Sequence, residues 1–211
     1  MPKVTGLITG KRNKKRVNVF LDGSFAFSLQ AEVAVGEGLR IGAELSDEKV
    51  TALAGADRFR QGLDAALRYL AYRPRSKVEI REKLHRRGFD EGSINGVINR
   101  LEELNLVDDA AFARMWLENR QTFRPRSRRL IGIELNGKGI SREIIDSSLH
   151  GLDDAESAYH AGADRARRLV TGDYGTFRRR LGDFLRRRGF HYEVISETVN
   201  RLWSEKQGDG N

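Results

Sequence analysis

Runs of arginine set the chemistry open to this chain. Arg126, Arg128 and Arg129, then Arg178, Arg179 and Arg180, then Arg186, Arg187 and Arg188 crowd like charges into adjacent turns. Such crowding costs repulsion unless an anionic surface meets it. A guanidinium presents a planar fork suited to two-pronged contacts with phosphate or carboxylate. The charge recurs along the chain. Residues 73–88 hold seven Lys/Arg against two acids, 124–138 five against one, and 178–188 six against one. The segments that follow, 90–104, 140–154 and 190–205, are net acidic at −3, −3 and −2. Candidate contacts are therefore Arg73, Arg75, Lys77, Arg81, Lys83, Arg86 and Arg87 in the first block. The second block adds Arg124, Arg126, Arg128, Arg129 and Lys138, and the third Arg178, Arg179, Arg180, Arg186, Arg187 and Arg188. Lys11, Arg12, Lys14, Lys15 and Arg16 form a further basic loop, read equally as a contact or as a mobile hairpin loop. The competing reading of the three blocks is that they are solvated faces paired with the acidic segments, an arrangement that contributes little to stability.

Catalytic chemistry finds no comparable support. His85, His150, His160 and His191 are scattered without metal-ligand spacing, and cysteine is absent. No Walker-type loop or dinucleotide fingerprint occurs. Asp108-Asp109 and Asp153-Asp154 suit the starts of helices better than a carboxylate pair. The expectation is a protein that is not an enzyme and uses no cofactor or metal.

The basic blocks lie on a repeat. Gly88, Gly139 and Gly189 are 51 and 50 residues apart, and each is framed by aliphatic residues in one register. Ile80, Leu84, Phe89, Ile94, Ile98 and Leu101 correspond to Ile131, Leu135, Ile140, Ile145, Leu149 and Leu152. They correspond again to Leu181, Leu185, Phe190, Ile195, Val199 and Leu202. This spacing puts one apolar stripe on each of two helices joined at the glycine, and the glycine supplies the left-handed residue that ends the first. The preamble RPRS recurs at Arg73–Ser76 and Arg124–Ser127, with proline closing the preceding segment and serine placed as an N-cap. The third copy has Gly175-Thr176 where the others have Pro-Arg, so its entry must differ. A preceding helix completes each unit, marked by Leu63, Ala66 and Leu70, by Phe112, Met115, Trp116 and Phe123, and by Ala155, Ala158 and Tyr159. Units of this size bury little alone and stabilise one another when stacked.

Residues 1–30 read differently. Val4–Thr9, Val17–Leu21 and Ser24–Leu29 are candidate strands, with Asp22-Gly23 as a two-residue hairpin turn. Strict alternation would gather Phe20, Phe25 and Phe27 on one face. A short helix near Ala31–Val35 and an N-cap at Ser46 follow. The predicted fold is mainly α: three tandem three-helix repeats in an elongated curved array, with a small N-terminal β-hairpin subdomain. The expected boundaries are 1–60, 61–107, 108–152 and 153–206, with a frayed tail at 207–211. Net charge is +8 with a pI near 10.0, hydrophobic residues make up 39% and charged residues 32%. The balance favours an acidic or nucleic-acid partner, and no segment reads as a membrane span or signal peptide, so a cytoplasmic monomer is expected.

The hairpin KRVNVFLDGSFAFSL, the stretch LRYLAYRPRSKVEIREKLHRRGF, the segment LVDDAAFARMWLENR and the block SRRLIGIELNGKGI resemble the bacterial RecX family of recombinase regulators. The resemblance spans residues 3–203, and the combination of RPRS, DDxxFAxxW and EL-x-x-KGI carries its specificity. It implies a regulator that binds the RecA recombinase filament along its groove, inhibits or disassembles it, and so modulates homologous recombination, DNA repair and the SOS response. The alternative is direct binding of single- or double-stranded DNA by helix-turn-helix-like repeats.

Overall fold

A computed structural model describes residues 1–11, 13–170 and 172–208 of the chain. It divides into two compact units, one comprising Met1–Arg75 with Glu79–Val107, the other Ser76–Val78 with the chain from Asp108 onward. The first unit opens on an antiparallel sheet of β1 (Val4–Thr9), β2 (Arg16–Leu21) and β3 (Ser24–Gln30) in that order. Asp22 and Gly23 both take positive φ, 47° and 84°, the backbone twist that a two-residue hairpin demands. Val19 pairs with Phe27 while Phe20 pairs with Phe25, which leaves Ala26 as an extra residue in β3. Phe20 and Phe25 meet edge to face at 5.9 Å. Phe27 instead packs on the core containing Val19 and Leu29. The three phenylalanines therefore do not share a face; the bulge reverses the third.

A lone three-stranded sheet is marginal in water, and this one is covered. α1 (Ala31–Gly36) and the first half of α2 (Asp47–Leu70) lay Val33, Ala34 and Leu53 against Val4, Val19 and Leu29. Ser46 starts α2 by accepting from the Lys49 amide at 3.2 Å. The helix then runs unbroken through residues 60 and 61, where the sequence suggested a boundary. Its second half contributes Leu63, Ala65 and Ala66 to another core with α3 (Lys77–His85) and α4 (Glu91–Glu103). One helix thus serves both the sheet and the first helical bundle.

The second unit holds α5 (Asp109–Phe123), α6 (Arg128–Asn136) and α7 (Arg142–Ser148), then α8 (Asp154–Arg168), α9 (Tyr174–Arg187) and α10 (Tyr192–Gly208). Gln207 and Gly208, expected in a frayed tail, belong to α10; residues 209–211 lie outside the described residues. The register residues occupy the same places in each core: Ile80 and Leu84, Ile131 and Leu135, Leu181 and Leu185 are all fully buried. Each middle helix ends alike. Gly88, Gly139 and Gly189 have φ of 77°, 74° and 89°. Phe89, Ile140 and Phe190 donate back to Leu84, Leu135 and Leu185 at 3.2, 3.1 and 3.4 Å. The glycine amides donate to His85, Asn136 and Arg186. This is the paired bonding that closes a helix through a left-handed residue.

Within the second unit a seam forms twice on these turns. Ser76 and Ser127 are fully buried. The Ser76 hydroxyl donates to the Lys138 carbonyl at 2.6 Å, and the Ser127 amide to the Arg188 carbonyl at 3.0 Å. The Lys77 and Arg128 amides donate to Asp109 and Asp154 at 2.9 and 2.6 Å. A Cβ on Gly139 would collide with Val78, and one on Gly189 would lie 2.6 Å from the Ser127 hydroxyl and 2.8 Å from Leu130 Cβ. The RPRS serines are thus seam residues. The third copy lacks RPRS, and its α9 is started by Asp173, which accepts from Gly175 and Thr176 at 3.2 and 2.7 Å.

The three glycines separate backbone strain from seam packing. Gly88→Ala meets open space and is expected to cost about 1 kcal/mol for its left-handed backbone. Gly139→Ala and Gly189→Ala add overpacking and are expected to cost about 3 kcal/mol or more. Urea unfolding of the three variants measures this; equal losses at all three positions would contradict the seating of chain on the second and third turns.

Candidate functional site

A positive side chain is available to a partner only if no internal acceptor holds it, and the candidates divide on that point. In the N-terminal loop Lys11, Lys14 and Lys15 are exposed, and their side chains have no partner among the described residues; Arg12 lies outside the described residues. Arg16 turns back into the fold. It donates to Ser28 and ion-pairs at 3.1 Å with Asp57, a buried carboxylate that also accepts from the Gln30 amide and from Gln61, each at 2.7 Å.

In the first block Arg73 grips Glu79 through two bonds of 2.8 and 3.2 Å. Arg75 and Lys83 both lie over the Tyr69 ring, at 3.9 and 5.4 Å. Arg81 spans to Glu91 and Asn95, at 2.5 and 2.8 Å, and Arg86 sits 3.6 Å from Glu82. Lys77 is engaged as well. Arg87 is exposed and unpaired among the described residues.

The second block is organised by Glu134, whose side chain is only 14% exposed. It accepts from Trp116 Nε1 at 2.8 Å, from Arg120 Nε at 2.7 Å, and from Arg126. Burial would raise its pKa, but the bonds from Arg120 and Trp116 and the charges of Arg120 and Arg126 outweigh it and hold the carboxyl below the usual glutamate value. Arg126 is therefore an internal strut, and Lys138 is engaged, its ammonium 5.5 Å from the Trp116 ring. Arg124, Arg128 and Arg129 expose side chains with no acidic partner among the described residues.

In the third block Arg178 donates to the Tyr192 hydroxyl at 3.0 Å and Arg186 to Asp183 at 2.7 Å. Arg188 donates to the Pro125 carbonyl at 2.9 Å and lies 4.6 Å over Phe184. Burial, then the like charges of Arg126 and Arg124, lower its pKa from the ordinary arginine value. Arg179, Arg180 and Arg187 are exposed and unpaired among the described residues.

Two features escaped the sequence reading. Tyr72 and Phe123, each directly before an RPRS preamble, are 86% and 72% exposed. Phe123 lies in the spacing of an apolar stripe, but it ends α5 beyond the core. Arg58 and Arg68 on α2 join Lys15 and Arg87 around one groove of the first unit. Their spacing with Gln61 and Ala65, in steps of three, four and three, marks one helical face and was open to detection. Among the described residues no three His, Cys, Asp or Glu side chains gather as a metal site, and no helix is long and apolar enough to cross a membrane.

Glu134 gives the second unit a pH signature. Its folded pKa is depressed, so its contribution is complete above the unfolded value, about 4.3, and is lost as pH falls through the lower folded value. Glu134→Gln is expected to cost about 2 kcal/mol from pH 7 down to about pH 5 and progressively less as pH falls below about 4.3. Denaturation across that range measures it; a loss that does not change with pH would contradict the assignment.

Comparison with known proteins places these features in a family. The regulatory protein RecX N-terminal domain matches residues 2–46, the RecX first three-helix domain residues 63–101, and the second residues 108–149. Regulatory protein RecX of Clostridium botulinum (strain Alaska E43 / Type E3) is 31% identical over 204 residues, covering 94% of this chain and 95% of that protein. Regulatory protein RecX of Bacillus subtilis (strain 168) is 29% identical, covering 99% and 80%. A crystal structure of a regulatory protein RecX superposes with a TM-score of 0.72 at 25% identity, over 95% of this chain and all of the other. RecX from Lactobacillus salivarius gives 0.60 at 27% identity, over 70% and 97%. With an N-terminal sheet domain and successive three-helix domains matched in chain order, and relatives of the same kind along nearly its whole length, the chain belongs to the RecX family of regulatory proteins.

Proposed function

We propose that this chain binds the RecA recombinase filament along its groove and inhibits or disassembles it, acting as a cytoplasmic monomer without catalysis of its own. Family membership supports a regulatory role. The observation that carries the molecular reading is the set of arginines left without acidic partners among the described residues: Arg87 at the end of α3, Arg128 and Arg129 at the start of α6, Arg179, Arg180 and Arg187 on α9. Each repeat keeps some free after its internal struts are satisfied. Exposed Tyr72 and Phe123 supply aromatic anchors of the sort that dominate protein interfaces. A helical filament offers the same surface many times, and several weak contacts on one chain then bind with avidity.

The experiment measures ATP hydrolysis by preformed RecA filaments on single-stranded DNA while the chain is added at sub-stoichiometric amounts. Inhibition is expected. The combined variant Arg128→Glu, Arg129→Glu, Arg179→Glu, Arg180→Glu should need at least about tenfold more protein for half-inhibition, because losing one arm of a multivalent contact removes its effective concentration. Phe123→Ala should weaken inhibition without changing helicity. A charge-reversed variant of full potency, or a wild type that only competes for bare strand and never acts on preformed filaments, would overturn the reading in favour of direct DNA binding.

A further inference from the structure

A valley runs between the middle and third helices of a repeat, and the first and third repeats treat it differently. In the first, Arg81 crosses from α3 to α4 and bonds Glu91 and Asn95 at 2.5 and 2.8 Å, and His85 meets Glu91 as well. On the register of Gly88 and Gly189, the positions of Arg81, Glu91 and Asn95 are held in the third repeat by Gly182, Tyr192 and Ser196. The crossing ion pair is lost, and a groove of about 400 Å³ remains between α9 and α10. Ile195 and the buried Val199 line it, with Tyr174 and Tyr192, which are 37% and 69% exposed. Gly175 and Gly182, seven positions apart on one face of α9, add no side chain to that wall. An added Cβ at Gly182 would lie 3.6 Å from Ile195, so a long residue there would cover the apolar lining.

The charge around this groove is a second observation. Asp183 is the one carboxylate in its lining, and Arg186 bonds it at 2.7 Å. Arg178 is met by a neutral group, the Tyr192 hydroxyl, at 3.0 Å. Both of these side chains are exposed, so an incoming acceptor can replace that bond. A carboxylate is a stronger acceptor for a guanidinium than a phenol is. An apolar lining with a cationic rim is thus left open, the arrangement of a protein interface rather than of a solvated face.

We propose that the α9–α10 groove docks an amphipathic helix of a partner protein, its apolar stripe on Ile195 and Val199 and a carboxylate on its flank bound to Arg178. Two helices wall the groove, and their backbones offer no unpaired edge to an extended segment. A helix needs only side-chain anchors at i, i+3, i+4 and i+7. Bare glycines on one wall let its axis come close. A second copy of this chain is a poor occupant, since each brings a net charge of +8. The docking uses none of Arg179, Arg180 and Arg187, the α9 arginines assigned above to the recombinase.

The test omits recombinase, so its result is separate from the filament reading. The probe is a labelled synthetic peptide of about 14 residues, long enough to follow both helices, with leucines at i, i+3, i+4 and i+7 and glutamates on the flanks. A second peptide has the same composition in scrambled order. Anisotropy is followed with the full chain and with the double variant Gly182→Arg, Tyr192→Glu, which transplants the crossing pair of the first repeat at unchanged net charge. Arginine is a better helix former than glycine, so circular dichroism should show no loss of helix. The amphipathic peptide should bind the wild type and gain helicity, and the double variant should bind it at least about tenfold more weakly. Arg178→Gln should weaken it by about threefold, the scale of an exposed ion pair. An amphipathic peptide that does not bind the wild type, a scrambled peptide that binds as well, or a double variant of full affinity would each overturn the proposal. Sedimentation of the free chain reads the other occupant: a dimer that the double variant abolishes would give the groove to a second copy and overturn it too.

Discussion

A left-handed glycine at the end of each middle helix is the constraint from which the helical architecture follows. Only there can the chain reverse closely enough for the next residue's amide to reach back five positions, to Leu84, Leu135 or Leu185. That bond fixes where the third helix starts and brings Phe89, Ile140 and Phe190 under the bundle. At Gly139 and Gly189 the missing Cβ does a second job, because Val78 is seated against the first turn and Ser127 with Leu130 against the second. The same residue that ends a helix thus makes room for a seam.

Charge in this chain is sorted by burial. A guanidinium that loses water must find acceptors, and Arg16, Arg73, Arg126 and Arg188 find them in Asp57, Glu79, Glu134 and the Pro125 carbonyl. These four hold loops and helix ends in place. Their neighbours one or two residues away, such as Lys15, Arg124, Arg128 and Arg187, stay in water with nothing to neutralise them among the described residues. Basic blocks that look uniform in sequence are mixtures of structural and available side chains. Pairing with the acidic third helices, the competing explanation for the blocks, is represented in the first repeat by Arg81 and His85 on Glu91. It does not account for Arg128, Arg129, Arg179 or Arg180.

Much of the fold was legible because helix periodicity and glycine turns are local signals. The register residues, the three turns, the Asp22-Gly23 hairpin and the Ser46 and Ser127 caps follow from spacing alone. Ala26 was not legible, since a bulge is set by pairing across strands and leaves no mark in β3 itself. The fate of each arginine was equally hidden. Arg16 meets Asp57 across 41 positions and Arg188 meets Pro125 across 63, so no local pattern announces either contact. RPRS drew attention as a basic motif, yet its serines are buried and Arg73 and Arg126 are bound. The groove joining Lys15 to Arg58, Arg68 and Arg87 needed tertiary structure, although its α2 face had a readable spacing.

The division between bound and available arginines is the central claim, and arginine-selective covalent labelling read by mass spectrometry tests it most directly. In the free chain Arg87, Arg128, Arg129, Arg179, Arg180 and Arg187 should label quickly, while Arg16, Arg126 and Arg188 label slowly. On RecA filaments the fast set should become protected and the slow set should not change. Fast labelling of Arg126 in the free chain, or undiminished labelling of Arg128, Arg129, Arg179 and Arg180 on the filament, would contradict the account.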